Sequence, residues 1–145
     1  MSDVKNKISD FLASHPYLNL ATVSPDGTPL VHTVGYASEG TTVYFVTDKN
    51  TRKAKNISNN PAVAYTVDED YKDLAKIQGV QMKGRAEFVT DKTIVEKIFA
   101  IMNKKYSYMK DMPENPDYIF FKIKPVEADF IDNTVKFGHR DHVNF

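Results

Sequence analysis

The stretch Val43-Tyr-Phe-Val-Thr-Asp-Lys-Asn-Thr-Arg-Lys-Ala-Lys-Asn-Ile-Ser-Asn-Asn-Pro61 decides how the rest of the chain is read. Val43 to Val46 are β-branched or aromatic and suit a buried strand. Asp48, Lys49 and Asn50 break that run, and Thr51 is a good N-cap. Ala54 and Ile57 then continue at helical spacing. Asn60 ends the helix, because a residue before proline avoids the α region. The spacing predicts strand, tight polar loop and helix in succession.

Charge is the odd feature of this stretch. Arg52 and Lys53 fall in the first helical turn, at the positive end of the helix dipole. Cations there are unfavourable by roughly 0.3–1 kcal/mol each. An anion held at the same place reverses the sign. Free backbone N–H groups, a threonine hydroxyl and two cationic side chains together make a phosphate cradle. A solvated basic helix start is the plain alternative.

Residues 47–54, Thr-Asp-Lys-Asn-Thr-Arg-Lys-Ala, with Ile-Ser-Asn-Asn-Pro-Ala-Val at 57–63, resemble the phosphate-binding segment of the pyridoxamine 5′-phosphate oxidase-like family of flavin-binding split β-barrels. In that family a strand ends in threonine, a Ser/Thr-Arg-Lys-Ala helix start follows, and Asn-Pro precedes the next strand. The resemblance is specific here and looser over residues 17–132. It implies a mostly β fold, a β-barrel with flanking helices, and FMN as cofactor. It also implies a homodimer with the flavin between subunits. Arg52 and Lys53 match the pair that holds the FMN phosphate in that family, and Val46, Thr47 and Thr51 are the other residues of the segment expected to bind the cofactor.

At 145 residues one domain spanning 1–145 is expected, with room for a proper core. The formal net charge is zero, which gives no bulk attraction to nucleic acid or to a membrane surface. Absence of cysteine excludes disulfides, thiolate metal sites and a cysteine nucleophile. The charged N-terminus lacks an apolar signal region, and no apolar run approaches the ~20 residues needed to span a bilayer. A cytoplasmic location is expected.

Residues 3–14 read as a helix with an apolar stripe of Val4, Ile8, Phe11 and Leu12, capped by Ser2 and stopped at His15-Pro16. Strands follow at 17–23, 29–37 and 42–47. Ser24 to Gly27 turns between the first two and Ser38 to Gly40 between the next two. These three strands are expected to pair in order, as an antiparallel meander. By the resemblance the second of them lies along the flavin ring, contacting it largely through backbone groups; His32 and Gly35 are the candidates for ring contact, with Thr33 and Val34 also expected to bind the cofactor. A surface His32 and a bulge at Gly35 are the plain readings.

A fourth strand spans 62–67, and the acidic run 68–76 reads as a loop. A long strand at 77–89 carries Gly79 and Gly84 as bulge points. In the family a glutamine near this strand's start contacts the ring; Gln78 and Gln81 bracket the place, and strict alignment falls on Gly79. Asp91 opens the longest helix, with Ile94, Val95, Ile98, Phe99, Met102 and Tyr106 as its buried stripe. Residues 107–116 hold too much proline for regular structure, and their Met and Tyr side chains either wall a pocket or cover the core. Strands at 118–124 and 126–132 are expected to flank a kink at Pro125.

In the tail, His139 and His142 stand three apart around Arg140 and Asp141. On a helix such a pair would share a face, but a catalytic metal needs a third protein ligand, and no metal site is assigned. No side chain announces itself as an acid or base; His139, Arg140 and His142 are the candidates because imidazole titrates near neutral pH. The named oxidase has basic residues where this chain has Val31 and Tyr36, and an Arg-Leu-His-Asp-Arg tail where this chain has Gly-His-Arg-Asp-His. A substrate or electron acceptor other than a B6 vitamer follows. Two rivals stand beside the flavin enzyme. One is a flavin or haem carrier without turnover. The other is a single-stranded nucleic-acid barrel using Tyr44, Lys49, Arg52, Lys53 and Lys55, against which the neutral charge speaks.

Overall fold

The structure is a computed structural model, and it describes residues 3–145. Helix α1 (Asp3–Ser14) comes first; Ser2, its expected cap, lies outside the described residues. Then follow β1 (Tyr17–Val23), β2 (Pro29–Gly35), β3 (Ala37–Glu39), β4 (Thr42–Asp48), α2 (Arg52–Asn59), β5 (Ala62–Val67) and β6 (Gln78–Val89). Helix α3 (Lys92–Lys105), β7 (Tyr118–Asp132) and β8 (Arg140–Asn144) complete the order. Among the described residues all strands join one antiparallel sheet, ordered β2-β1-β5-β6-β7-β4-β3, with β8 added on β7.

The expected three-strand meander does not form. β2 pairs with β1, but β4 pairs with β3 and β7 and not with β2. The reason lies at Tyr36. The expected strand 29–37 is broken there into β2 and β3, which occupy opposite ends of the sheet order. One uninterrupted piece of chain therefore ties the two sheet edges together, and the sheet curls into a barrel. Tyr36 is fully buried at the join. Its hydroxyl donates to the Leu12 carbonyl at 2.6 Å, and its N–H donates to the Tyr106 hydroxyl at 2.9 Å. That hydroxyl lies in turn against the carbonyls of Tyr36 and Pro16, so α1, the bend and the end of α3 are held at one point.

The β1–β2 turn follows its sequence signal. Asp26 accepts from the Thr28 N–H at 3.0 Å, and Gly27 takes the left-handed φ of +87° that other residues resist. Strand β4 is buried on both faces. Val43 and Phe45 point into the barrel with Leu20, Tyr65, Phe121 and Ile123. Tyr44 points outward against Ile98, Met102, Tyr106 and Met109. That double burial explains its nearly continuous apolar run. Ile8, Phe11 and Leu12 of α1 and Ala54 and Ile57 of α2 also join the barrel core.

Other expectations are corrected. Only Ile98 and Met102 of α3 are buried, with Tyr106 just past its end; Ile94 and Phe99 are 37% and 44% exposed. The helix leans one side of its stripe on the sheet and leaves the other uncovered. The proline-rich connection begins with a 3-10 turn, Ser107–Asp111, because its prolines lie beyond that turn. Residues 118–132 form one strand, with the irregularity opposite Gly84, where the register skips Val126. Gly79 is no bulge; it is regularly paired with Ile131. The tail is a strand, so the helical spacing of His139 and His142 does not arise.

Candidate functional site

Curling leaves a seam. β2 has β1 on one side and no strand on the other. β4 is paired by β3 only from Thr42 to Tyr44, so residues 45–48 also present a free edge. Since β2 runs directly into β3, these two free edges face one seam, and backbone N–H and C=O groups along it are left for a ligand or water. Helix α2 begins at the end of β4, at the mouth of this seam.

The loop between β4 and α2 is held by local hydrogen bonds. Asp48 accepts from the Asn50 N–H at 2.8 Å and from its side-chain amide at 3.0 Å. The Asn50 N–H, then the Asn115 amide, hold the Asp48 carboxyl below the usual carboxylate range. The Lys49 N–H donates to the Asp117 carbonyl at 2.8 Å, and Asn115 donates to Asp48 at 3.2 Å. The loop is thus pinned to the segment before β7.

Thr51 occupies the expected N-cap position, but its hydroxyl does not cap. It donates to the Asp48 carbonyl at 2.8 Å and lies 3.3 Å from the Thr47 hydroxyl. The first N–H groups of α2 are left without a side-chain acceptor, and the first turn holds no acidic residue. Arg52 is exposed and Lys53 half-buried. Neither is in an ion pair among the described residues. Burial pulls the Lys53 ammonium below its ordinary pKa. His32 belongs to the same cluster: burial first, then the charges of Lys53 and Arg52, pull its imidazole down. Its Nδ1 is buried with no hydrogen-bond partner. Donors and cations converge here with nothing to accept from them, which is the electrostatic description of an anion site.

His32, Thr47, Thr51, Arg52 and Lys53 are therefore brought together. Val34 is buried in the barrel and Val46 packs toward α3, so both meet the seam through backbone. Thr33 faces outward and donates to Asn19 at 3.1 Å. Its register continues across the sheet as Thr33, Asn19, Thr66, Gln81, Asp129 and His142. Gln81 accepts from Arg140 at 3.1 Å, and Gln78 donates to Asp132 at 3.0 Å. Within one chain both glutamines stand apart from the cradle, since β1 and β5 separate β6 from β2 and β7 separates it from β4.

Asp129 went unread in the sequence. It binds Arg140 at 2.6 Å and His142 at 2.7 Å, and that hydrogen bond raises the His142 pKa. Period-two alternation on β7 and β8 was the signal, available only once the tail is seen as a strand. His139 faces Asp141 at 3.3 Å. Among the described residues no three potential metal ligands converge. Tyr44, 3% exposed beneath α3, cannot stack on a base, which removes the aromatic from the nucleic-acid constellation.

These features define a class: a split β-barrel with uncapped N–H groups and two cations gathered at its seam. The chain belongs to the pyridoxamine 5′-phosphate oxidase family, whose sequence profile matches residues 4–132. It is similar to general stress protein 26 of Bacillus subtilis, at 29% identity over 85% of this chain and 84% of that protein. Its fold is that of a haem-binding protein from Mycobacterium smegmatis, with a TM-score of 0.85 and 15% identity. That match covers 99% of this chain and 59% of the other, so the chain spans well under two thirds of that relative. A haem storage protein from Vibrio cholerae also shares the fold, with a TM-score of 0.73, 22% identity, and coverage of 86% and 91%. No helix among the described residues is long and apolar enough to cross a membrane.

Proposed function

We propose that the protein is a cytoplasmic FMN-binding flavoprotein, a homodimeric oxidoreductase acting on a small-molecule substrate or electron acceptor other than a B6 vitamer. The observation that carries this reading is the set of unanswered donors at the start of α2: uncapped N–H groups, with Arg52 and Lys53 outside any ion pair among the described residues, beside an unpartnered His32 nitrogen on β2. An FMN phosphate would answer the N–H groups and both cations. Thr47, Thr51, Arg52 and Lys53 would hold the phosphate, and the free edges at His32, Thr33, Val34 and Val46 would hold the ring. Gln81, on the outer face of β6, and Gln78, on the opposite face at the start of that strand, are assigned to the flavin across the dimer boundary. Bound flavin supplies reversible electron and hydride transfer, which no side chain here offers; the protein's share is to bind, orient and shield it.

The B6 exclusion is supported by Tyr36 and Val31. Tyr36 is buried with its hydroxyl on Leu12, and Val31 is exposed and apolar, so neither grips a second phosphate. Arg140 is already engaged by Asp129 and Gln81.

The test is an absorption spectrum of the purified protein, repeated during titration with FMN, with light scattering for the dimer. A flavin spectrum and quenched FMN fluorescence are expected, with twice the chain mass. A colourless protein that leaves FMN fluorescence unchanged overturns the reading. The fold shared with haem proteins favours one second reading, a haem carrier. It would show a haem Soret band on haem addition and no response to FMN.

A further inference from the structure

A cavity of about 640 Å³ lies on the far side of β4 from the barrel interior. Its floor is Val46, Tyr118 and Phe120 from the outer face of the sheet. Val95 and Phe99, from the uncovered side of α3, form one wall, and Met109, Met112 and residues 113–116 close over it. The size falls within the roughly 300–1,000 Å³ of ordinary small-molecule pockets. The lining is mostly apolar, and two methionines give it an adaptable surface.

Its charge is one-sided. Glu96 and Glu114 are in the lining; no lysine, arginine or histidine is. Neither carboxylate is in an ion pair among the described residues. An apolar cavity with two unanswered carboxylates disfavours phosphates and carboxylic acids and favours a cation on an apolar body. This is the opposite preference from the cradle, although Val46 and Thr47 are neighbours on β4.

We propose that this cavity binds a cationic amphiphilic small molecule, an amine carried on an apolar ring or chain, with the body between Phe99 and Phe120 and the ammonium toward Glu96 and Glu114. The site does not depend on flavin.

The experiment uses the full chain with 13C-labelled methionine methyl groups. Met109 and Met112 report on the cavity, and Met82, in the barrel core, is the internal control. Three matched probes are titrated: 1-naphthylmethylammonium, naphthalene-1-methanol and 1-naphthoate. Met109 and Met112 should shift and Met82 should not. The ammonium should bind about three- to tenfold tighter than the alcohol, and the carboxylate weakest, as two solvent-facing carboxylates allow. E96Q with E114Q, both at exposed positions, should erase the ammonium's advantage and leave the alcohol unchanged. Val95→Trp should fill the cavity and weaken every probe; if it does not fold, the glutamate pair decides. R52A with K53A should leave probe binding intact, which separates this proposal from the flavin reading. Equal affinity for ammonium and carboxylate overturns it, as does a parallel Met82 shift. So does a Met112 signal that follows protein concentration and no probe, which would mean a second copy covers the cavity.

Discussion

The Lys105 ammonium stands 3.6 Å from the ring centroid of Tyr36 and 5.6 Å from that of Tyr106, buried and without a hydrogen-bond acceptor. Burial pulls its pKa down to about 8, and the ring face offsets part of that cost, by about 0.5–2 kcal/mol. The folded pKa lies below the ordinary 10.5, so between about pH 8 and 10.5 the unfolded chain holds more protons. The destabilising contribution is complete below pH 8, and stability rises as pH climbs through that window. Buried tyrosines, two of them facing Lys105, limit the rise. Tyr106 is pushed up to about 12, and Tyr36 and Tyr65 are pushed up also, chiefly by burial. Above pH 10 the unfolded tyrosines lose protons that the folded ones keep, so stability then falls. Melting temperatures should increase from pH 7.5 to 9.5, and Lys105→Met should reduce that increase. Lys53, shifted in the same direction, accounts for what remains. Identical slopes for the two proteins would contradict the assignment.

Gly84 makes the second prediction. An added Cβ there would lie 2.7 Å from both the Ile123 side chain and the Lys124 carbonyl. Backbone cannot yield as a flexible side chain does, so Gly84→Ala should cost about 1–3 kcal/mol, lowering the melting temperature by roughly 3–10 °C. At Gly35 the nearest atom to such a Cβ is the Tyr106 hydroxyl at 3.6 Å, an ordinary contact. Gly35→Ala should be the milder of the two. Thermal unfolding of both variants checks the ranking.

What the sequence made legible was local. Residues 43–61 carry strand, loop, cap position and helix end in their own order, and α2 and β5 fall where read. Pairing partners were not legible, because nothing near β2 says that its continuation crosses to the other sheet edge; that is decided by Tyr36 reaching Leu12 and Tyr106. The stripe on α3 was read correctly as apolar, but a stripe does not state how much of itself is covered. The tail was given no secondary structure, because the spacing of its two histidines alone does not choose between a helix and a strand. At the start of α2, the cationic pair was visible from sequence, whereas the turning of the Thr51 hydroxyl onto the Asp48 carbonyl, which leaves the helix uncapped, and the buried His32 nitrogen are properties of three dimensions.

His32 offers a spectroscopic reading of the cradle. Its imidazole pKa is held below 6.5 by burial and then by Lys53 and Arg52. In the fold it stays neutral where the unfolded chain is protonated, so it weakens the fold as pH falls from about the ordinary value. A phosphate seated between the cations cancels their repulsion. NMR titration of His32 should give a pKa below the ordinary value in the free protein and a higher one with saturating FMN. R52A with K53A should also raise it in the free protein. Bound FMN with an unmoved His32 would place the phosphate elsewhere.

The strongest prediction concerns Arg52 and Lys53 together. Arg52 is exposed and Lys53 half-buried, so replacing both by alanine removes little core packing. It should relieve repulsion at the α2 N-terminus by a few tenths up to about 1 kcal/mol each, leaving the free protein as stable or slightly more so. With FMN present each side chain makes a charge-assisted hydrogen bond worth about 1.5–3 kcal/mol. Losing both should cost roughly 3–6 kcal/mol if they act independently, about two to four orders of magnitude in affinity. Riboflavin, which lacks the phosphate, should bind both proteins equally weakly. The measurement is FMN and riboflavin titration against wild type and the double variant, with thermal unfolding of the free proteins as control. Parallel loss of both ligands would mean that the substitutions damaged the seam rather than the phosphate grip. An unchanged FMN affinity would mean that the uncapped start of α2 is a solvated basic turn, and that a flavin, if bound, is held by other groups.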